Sequence, residues 1–154
     1  MARKPFSARE TIDAVRLSVD ELTQETAFAA LRNVITGTPV GNPTRWQYPE
    51  RAPAGYVGGH ARRNWNVSTT GFDSTIVGEP GAGGGEGSSR NEAISKAAPV
   101  IAKFDVAQGK LYIFNNVPYI GVLNAGHSTI APPNFVEKAI QAATQISGGR
   151  EVIP

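Results

Sequence analysis

The residues with the clearest capacity for chemistry are Gly81-Ala82-Gly83-Gly84-Gly85-Glu86-Gly87, because glycine-rich turns let backbone N–H groups close on a phosphate. A phosphate loop needs Lys and then Ser or Thr directly after its last glycine, with a helix behind. Here Gly87 runs into Ser88-Ser89, and Glu86 would repel phosphate. Residues 78–89 are therefore expected to form a flexible, disordered or swinging loop. A small nucleotide-binding enzyme remains the alternative from a different class.

Neither histidine, His60 nor His127, has an acidic neighbour in sequence, so neither suggests a metal site. Each reads as a loop histidine with a local hydrogen bond. Ser128 beside His127 makes no catalytic pair, since adjacent residues on a strand point opposite ways, and no Gly-x-Ser-x-Gly elbow occurs. The acidic residues are scattered, and those on the first helix fit a solvated face. Without cysteine there is no disulfide, thiolate zinc site or thiol chemistry. No catalytic residue, cofactor or metal ligand is expected, and the chain reads as a non-enzyme.

Arg45, Arg51, Arg62 and Arg63 concentrate positive charge around an aromatic stretch that includes Trp46, Tyr48 and Tyr56. These seven are the candidate partner-interface residues. The arginines either face DNA or an acidic partner surface, or are solvated residues flanking a strand. Sequence-specific DNA reading is not expected, because no helix carries basic residues along one face. With 15 Lys plus Arg against 13 Asp plus Glu, the net charge of +2 implies no general affinity for nucleic acid or membrane.

The elements that must position these residues follow from periodicity and punctuation. The 154 residues fit one domain, 1–154, with long ordered loops suggested by 17 glycines and 11 prolines. Ser7 and Glu10 form a capping box ahead of Ile12, Val15, Val19 and Leu22, and Phe28, Leu31 and Ile35 continue the apolar face. This helix should stop at Gly37-Thr38-Pro39, and its length suggests that it projects or packs along a neighbouring subunit. Residues 38–59 form an aromatic Pro/Gly loop that folds over its own domain or docks on a partner.

Trp65, Val67 and Thr69 alternate with Asn64, Asn66 and Ser68 as a strand, which puts Arg62 and Trp65 on opposite sides of it. A short strand at Thr75-Ile76-Val77 should follow. A helix is expected from about Asn91 to Lys103, with Ile94, Val100 and Ile101 buried and Pro99 able to kink it. Another strand spans Lys110 to Asn115, and Asn116-Val117-Pro118 turns the chain into the apolar stretch Tyr119 to Leu123. Pro132-Pro133 should open a last helix with Phe135, Val136, Ala139, Ile140, Ala143 and Ile146 on its apolar side, ended by Gly148-Gly149. The expected class is α+β: a long N-terminal helix, a small, mostly antiparallel sheet, two further helices and long Gly/Pro-rich loops. No apolar run is long enough to span a bilayer, and with no secretory signal the expectation is synthesis and folding in the cytoplasm.

Thr38-Pro39-Val40, followed by Gly55-Tyr56-Val57-Gly58-Gly59-His60-Ala61-Arg62-Arg63-Asn64-Trp65-Asn66-Val67-Ser68, resembles a signature of bacteriophage proteins. The block from Leu111 to Ile120 (LYIFNNVPYI), then Leu123-Asn124-Ala125-Gly126-His127-Ser128 and the helix beginning Ala131-Pro132-Pro133-Asn134-Phe135, is similar to the rest of the same pattern. The family is the neck or minor tail-completion proteins of long-tailed phages, relatives of lambda protein Z. The resemblance covers most of the chain, with Trp65, Asn115, Asn116, Pro118, Tyr119 and Gly126 as its fold-signature residues. Asn124 stands where many relatives have an acidic residue, and the loop before Gly55 is longer than in the shortest relatives. The resemblance implies a virion protein, assembled in the host cytoplasm into a homo-oligomeric ring that joins head to tail. Its partners would be the head-closure (stopper), tail-terminator and tail-tube proteins, with possible non-specific contact to passing DNA. A tail-terminator ring protein is the alternative within the same class.

Overall fold

The structure is a computed structural model that describes residues 7–147. Its helices and strands run in the order α1 (Ala8–Gly37), α2 (His60–Arg63), β1 (Trp65–Ser68), α3 (Gly85–Ala102), β2 (Tyr112–Asn115), α4 (Ile120–Asn124) and α5 (Phe135–Ser147). One-turn 3-10 helices at Pro43–Arg45, Pro49–Arg51 and Val106–Gln108 interrupt the loops. The class is α+β, as expected, with the sheet reduced to one antiparallel pair among the described residues. The expected Gly148-Gly149 stop and the side chain of Ile146 lie outside what is described. No described helix is long and apolar enough to cross a membrane.

The capping box starts α1 as its sequence requires: Glu10 N–H donates to Ser7 Oγ at 3.2 Å and Ser7 N–H to the Glu10 carboxylate at 2.7 Å. At 30 residues the helix is about 45 Å long. Only its C-terminal half enters the core, through Ala27, Leu31, Val34 and Ile35. The expected apolar face therefore fails near the N-terminus, where Ile12 is 65% exposed. Side chains instead hold this half against the loop before β2. Gln24 Nε2 donates to Phe104 O at 2.8 Å, Val106 N–H to Asp20 Oδ1 at 2.7 Å, and Arg16 pairs with Asp105 at 3.1 Å.

Two helices close the core over α1. Along α3 the buried positions recur every four residues at Ser89, Ala93, Ala97 and Ile101, and the first three are small enough to permit close approach. Ile94 is only partly buried against this core, and Pro99 sits on the exposed side without ending the helix. From α5, Phe135, Ala139 and Ala143 are buried, whereas Ile140 faces outward. Ile140 lies about 100° around the helix from Ala139, off the ridge that meets α1.

The sheet pairs Trp65 with Asn115 and Ser68 with Tyr112. Strand β1 does not show the expected alternation, since Trp65 and Asn66 are both buried. Residues 75–77 form no strand. Instead the buried Asn64 carboxamide acts as a substitute backbone, accepting from Val77 N–H at 2.6 Å and donating to Val77 O at 3.1 Å.

The largest correction concerns residues 78–89. They are not a swinging loop: α3 begins at Gly85, six residues before the expected start, and the glycines ahead of it are stitched to residues 57–58. Val57 N–H donates to Gly81 O at 2.6 Å, Gly83 N–H to Val57 O at 2.8 Å and Gly85 N–H to Gly58 O at 2.8 Å. A Cβ on Gly83 would overlap the His60 amide nitrogen, so glycine here permits backbone to touch backbone.

Candidate functional site

Residues 39–47 and 56–61, the Pro80-Gly81 turn and residues 119–130 surround a cavity of about 460 Å³. It lies within the usual size range of ligand pockets, about 300–1,000 Å³. Its floor is fixed by His60, at the start of α2 and buried. Gly78 O can only accept, so His60 Nε2–H donates to it at 3.0 Å and leaves Nδ1 to accept from the Tyr119 hydroxyl, also at 3.0 Å. The expected local bond for His60 is thus a long-range one, 59 residues apart, which locks α4 onto α2.

Trp46 and Tyr56 form the aromatic wall, edge to face with ring centres 5.0 Å apart and planes at 68°. The Tyr56 hydroxyl lies over Gly41, where any Cβ would collide with it. Burial pushes the Tyr56 hydroxyl pKa up; burial, then the neighbouring Tyr56, does the same for Tyr119. Both hydroxyls therefore remain protonated donors at neutral pH. Neither the Trp46 indole N–H, the Tyr56 hydroxyl nor the Arg45 guanidinium has a hydrogen-bond partner among the described residues. Arg45 is exposed at the pocket wall, His127, Ser128 and Thr129 also line the cavity, and no carboxylate lines it among the described residues.

The seven candidate interface residues divide into three groups. Arg45, Trp46 and Tyr56 meet at the cavity. Tyr48 and Arg51 stand apart on the exposed loop, with the guanidinium 4.3 Å from the ring centre in a cation–π contact. Arg62 and Arg63 are turned inward. They sit in α2, not on a strand, so the expected two-sided arrangement of Arg62 and Trp65 does not occur.

Arg62 caps α1. Its Nε and Nη2 donate to Thr38 O at 3.1 and 2.8 Å, and Nη2 also reaches Thr36 O at 3.2 Å. The last turn of α1 carries no basic residue of its own, so this guanidinium supplies the positive charge that the helix C-terminus favours. Arg63 donates to Ala82 O at 2.8 Å and pairs with Glu92 at 2.5 Å, clamping the glycine segment and α3.

The fold-signature residues are mostly hydrogen-bond junctions. Trp65 Nε1 donates to Thr38 Oγ1 at 2.7 Å, and Thr38 Oγ1 donates on to Val34 O at 2.6 Å. Asn115 Nδ2 donates to Ala61 O at 2.8 Å, while Asn116 Nδ2 holds Asp73 O and Thr75 O at 2.9 and 3.0 Å. Pro118 is exposed at the turn into α4. Gly126, at φ 90°, packs where a Cβ would lie 2.8 Å from Pro133.

Asn124 then caps α5 from outside the helix. Its Oδ1 accepts from Val136 N–H at 2.9 Å, and its Nδ2 donates to the Glu137 carboxylate. Helix α5 starts at Phe135, after Asn134 at φ 61°, and not at Pro132-Pro133. The pocket roles of Tyr119, His127 and Ser128 had no local signal, because they depend on where α4 returns to α2.

No metal-binding group of three or more His, Cys, Asp or Glu occurs among the described residues. No protein-family model, curated protein or solved structure matches the chain.

Proposed function

We propose that the chain is a structural subunit of a tailed-phage neck, joining head to tail and completing tail assembly as a ring. The observation that carries this reading is the ordered set of motifs Thr38-Pro39-Val40, Arg63-Asn64-Trp65-Asn66-Val67-Ser68 and Asn115-Asn116-Val117-Pro118-Tyr119. Those motifs and the His60-Ala61 turn just ahead of the second touch one another: Trp65 bonds Thr38, Asn115 bonds Ala61, and Tyr119 bonds His60. They build a scaffold, and the surfaces left over are suited to docking. Tyr48, Arg51 and the pocket-wall Arg45 point outward, while Arg62 and Arg63 are committed to internal bonds. Protein neighbours such as the stopper, terminator or tube therefore suit it better than DNA, because the basic cluster is split. Head-to-tail contacts between copies close such a part into a ring.

Counting this chain against the major capsid protein in purified virions by quantitative mass spectrometry tests the proposal. About six or twelve copies per particle is the expected result for a neck ring. Absence from the particle overturns it.

A further inference from the structure

We infer that the cavity bounded by Trp46, Tyr56 and Tyr119 binds an extended, proline-containing peptide segment bearing a carboxylate. This rests on the pocket alone and does not depend on the neck reading. A polyproline II segment has no internal hydrogen bonds, so its carbonyls need donors from whatever it docks on. The pocket offers two that have no partner among the described residues, the Trp46 indole N–H and the Tyr56 hydroxyl. Raised tyrosine pKa values keep the hydroxyls as donors.

The aromatic wall supplies the second half of the recognition. Trp46 and Tyr56 meet at 68°, making an angular corner flanked by Pro39, Pro80 and Leu123, where a pyrrolidine ring can bury its apolar face. Aromatic-lined grooves with projecting N–H and O–H donors are the general means of holding such segments. Charge sets the polarity of the ligand. Among the described residues Arg45 has no acidic partner and no Asp or Glu lines the cavity, so a neighbouring carboxylate on the peptide completes the site. The His60–Tyr119 bond and the Gly41–Tyr56 contact pre-form it, which lowers the ordering cost of binding.

The test is a titration of the full chain with acetyl-Pro-Pro-Glu-Pro-Pro-amide, followed by the indole and backbone amide shifts of Trp46 in NMR. Saturable shifts confined to the pocket are expected. Arg45→Ala should weaken this peptide about fivefold, the scale of an exposed ion pair, while leaving the Glu-to-Gln peptide unchanged. Trp46→Ala should weaken both by about tenfold or more. Trp46→Phe, which keeps an aromatic ring and removes the donor, covers the possibility that the alanine variant misfolds and should weaken both peptides. No saturable shift up to about 5 mM peptide, a limit corresponding to negligible affinity, overturns the proposal. Equal binding of the Glu-to-Lys peptide overturns it too. So does a short oligothymidylate occupying the pocket where the peptide does not.

Discussion

Arg62→Ala is expected to cost about 2 kcal/mol in urea denaturation, because it removes charge-assisted bonds to the carbonyls of Thr36 and Thr38 at the end of α1. Arg45→Ala, at an exposed side chain with no partner among the described residues, should stay within about 0.5 kcal/mol. Equal effects would mean that Arg62 does not act as the helix cap. Titration adds a second residue-scale prediction. The Asn124 side-chain bonds, then a backbone bond, hold the Glu137 carboxyl below its ordinary 4.5. A folded value below the unfolded one gives stability that is present above the unfolded pKa and lost as pH falls through the folded one. Glu10 and Asp105 are lowered by their own caps and follow the same sign. The fold should therefore weaken in the acid range below their ordinary values of 4.5 and 3.8. In Asn124→Ala, NMR should show Glu137 titrating closer to 4.5.

Among the elements, the glycine segment makes the most discriminating case. Gly83→Ala forces a Cβ into the His60 backbone and should be strongly destabilising, by about 2 kcal/mol or more. Gly87→Ala lies in the first turns of α3 with nothing within 4 Å, and should stabilise by about 0.5–1 kcal/mol. Thermal melts of the pair separate a stitched segment from a swinging one, since a loose loop would tolerate both. Amide exchange of the free chain should show Gly83 and Gly85 protected. The sequence could not reveal this, because glycine enrichment has the same appearance whether it serves freedom in solvent or close approach of two backbones. The capping box and stop of α1 were legible because their signals are local, lying within four residues of the helix ends. Strand β2 was legible for the same reason. The destinations of Arg62, Arg63 and Asn64 were not, since each bonds to residues 13 to 29 positions away. The pocket was half legible: Trp46, Tyr56 and Arg45 stood out by type, but Tyr119 reaches them through its bond to His60 and His127 through the fold of the chain after α4.

For the whole molecule, the long first helix outruns its own core. Ile12 and Leu17 stand 65% and 61% exposed on it. Replacing both with serine should change monomer stability by less than about 0.5 kcal/mol per site. In the proposed ring the same double variant should shift sedimentation towards the monomer, and unchanged assembly would remove this helix half from the ring contact.

The 42–55 excursion begins and ends beside a close backbone approach, where a Cβ on Gly58 would overlap the Gly41 carbonyl. Its Arg45–Gln47 stretch helps to build the pocket wall, whereas Gly55 does not line the pocket. Lengthening the loop at Gly55, which has open space around it, adds a closure entropy of about 0.6 kcal/mol for each doubling. That makes residue 55 an insertion port, where a peptide tag or a second small domain can be spliced into the chain while the helices beneath keep their places.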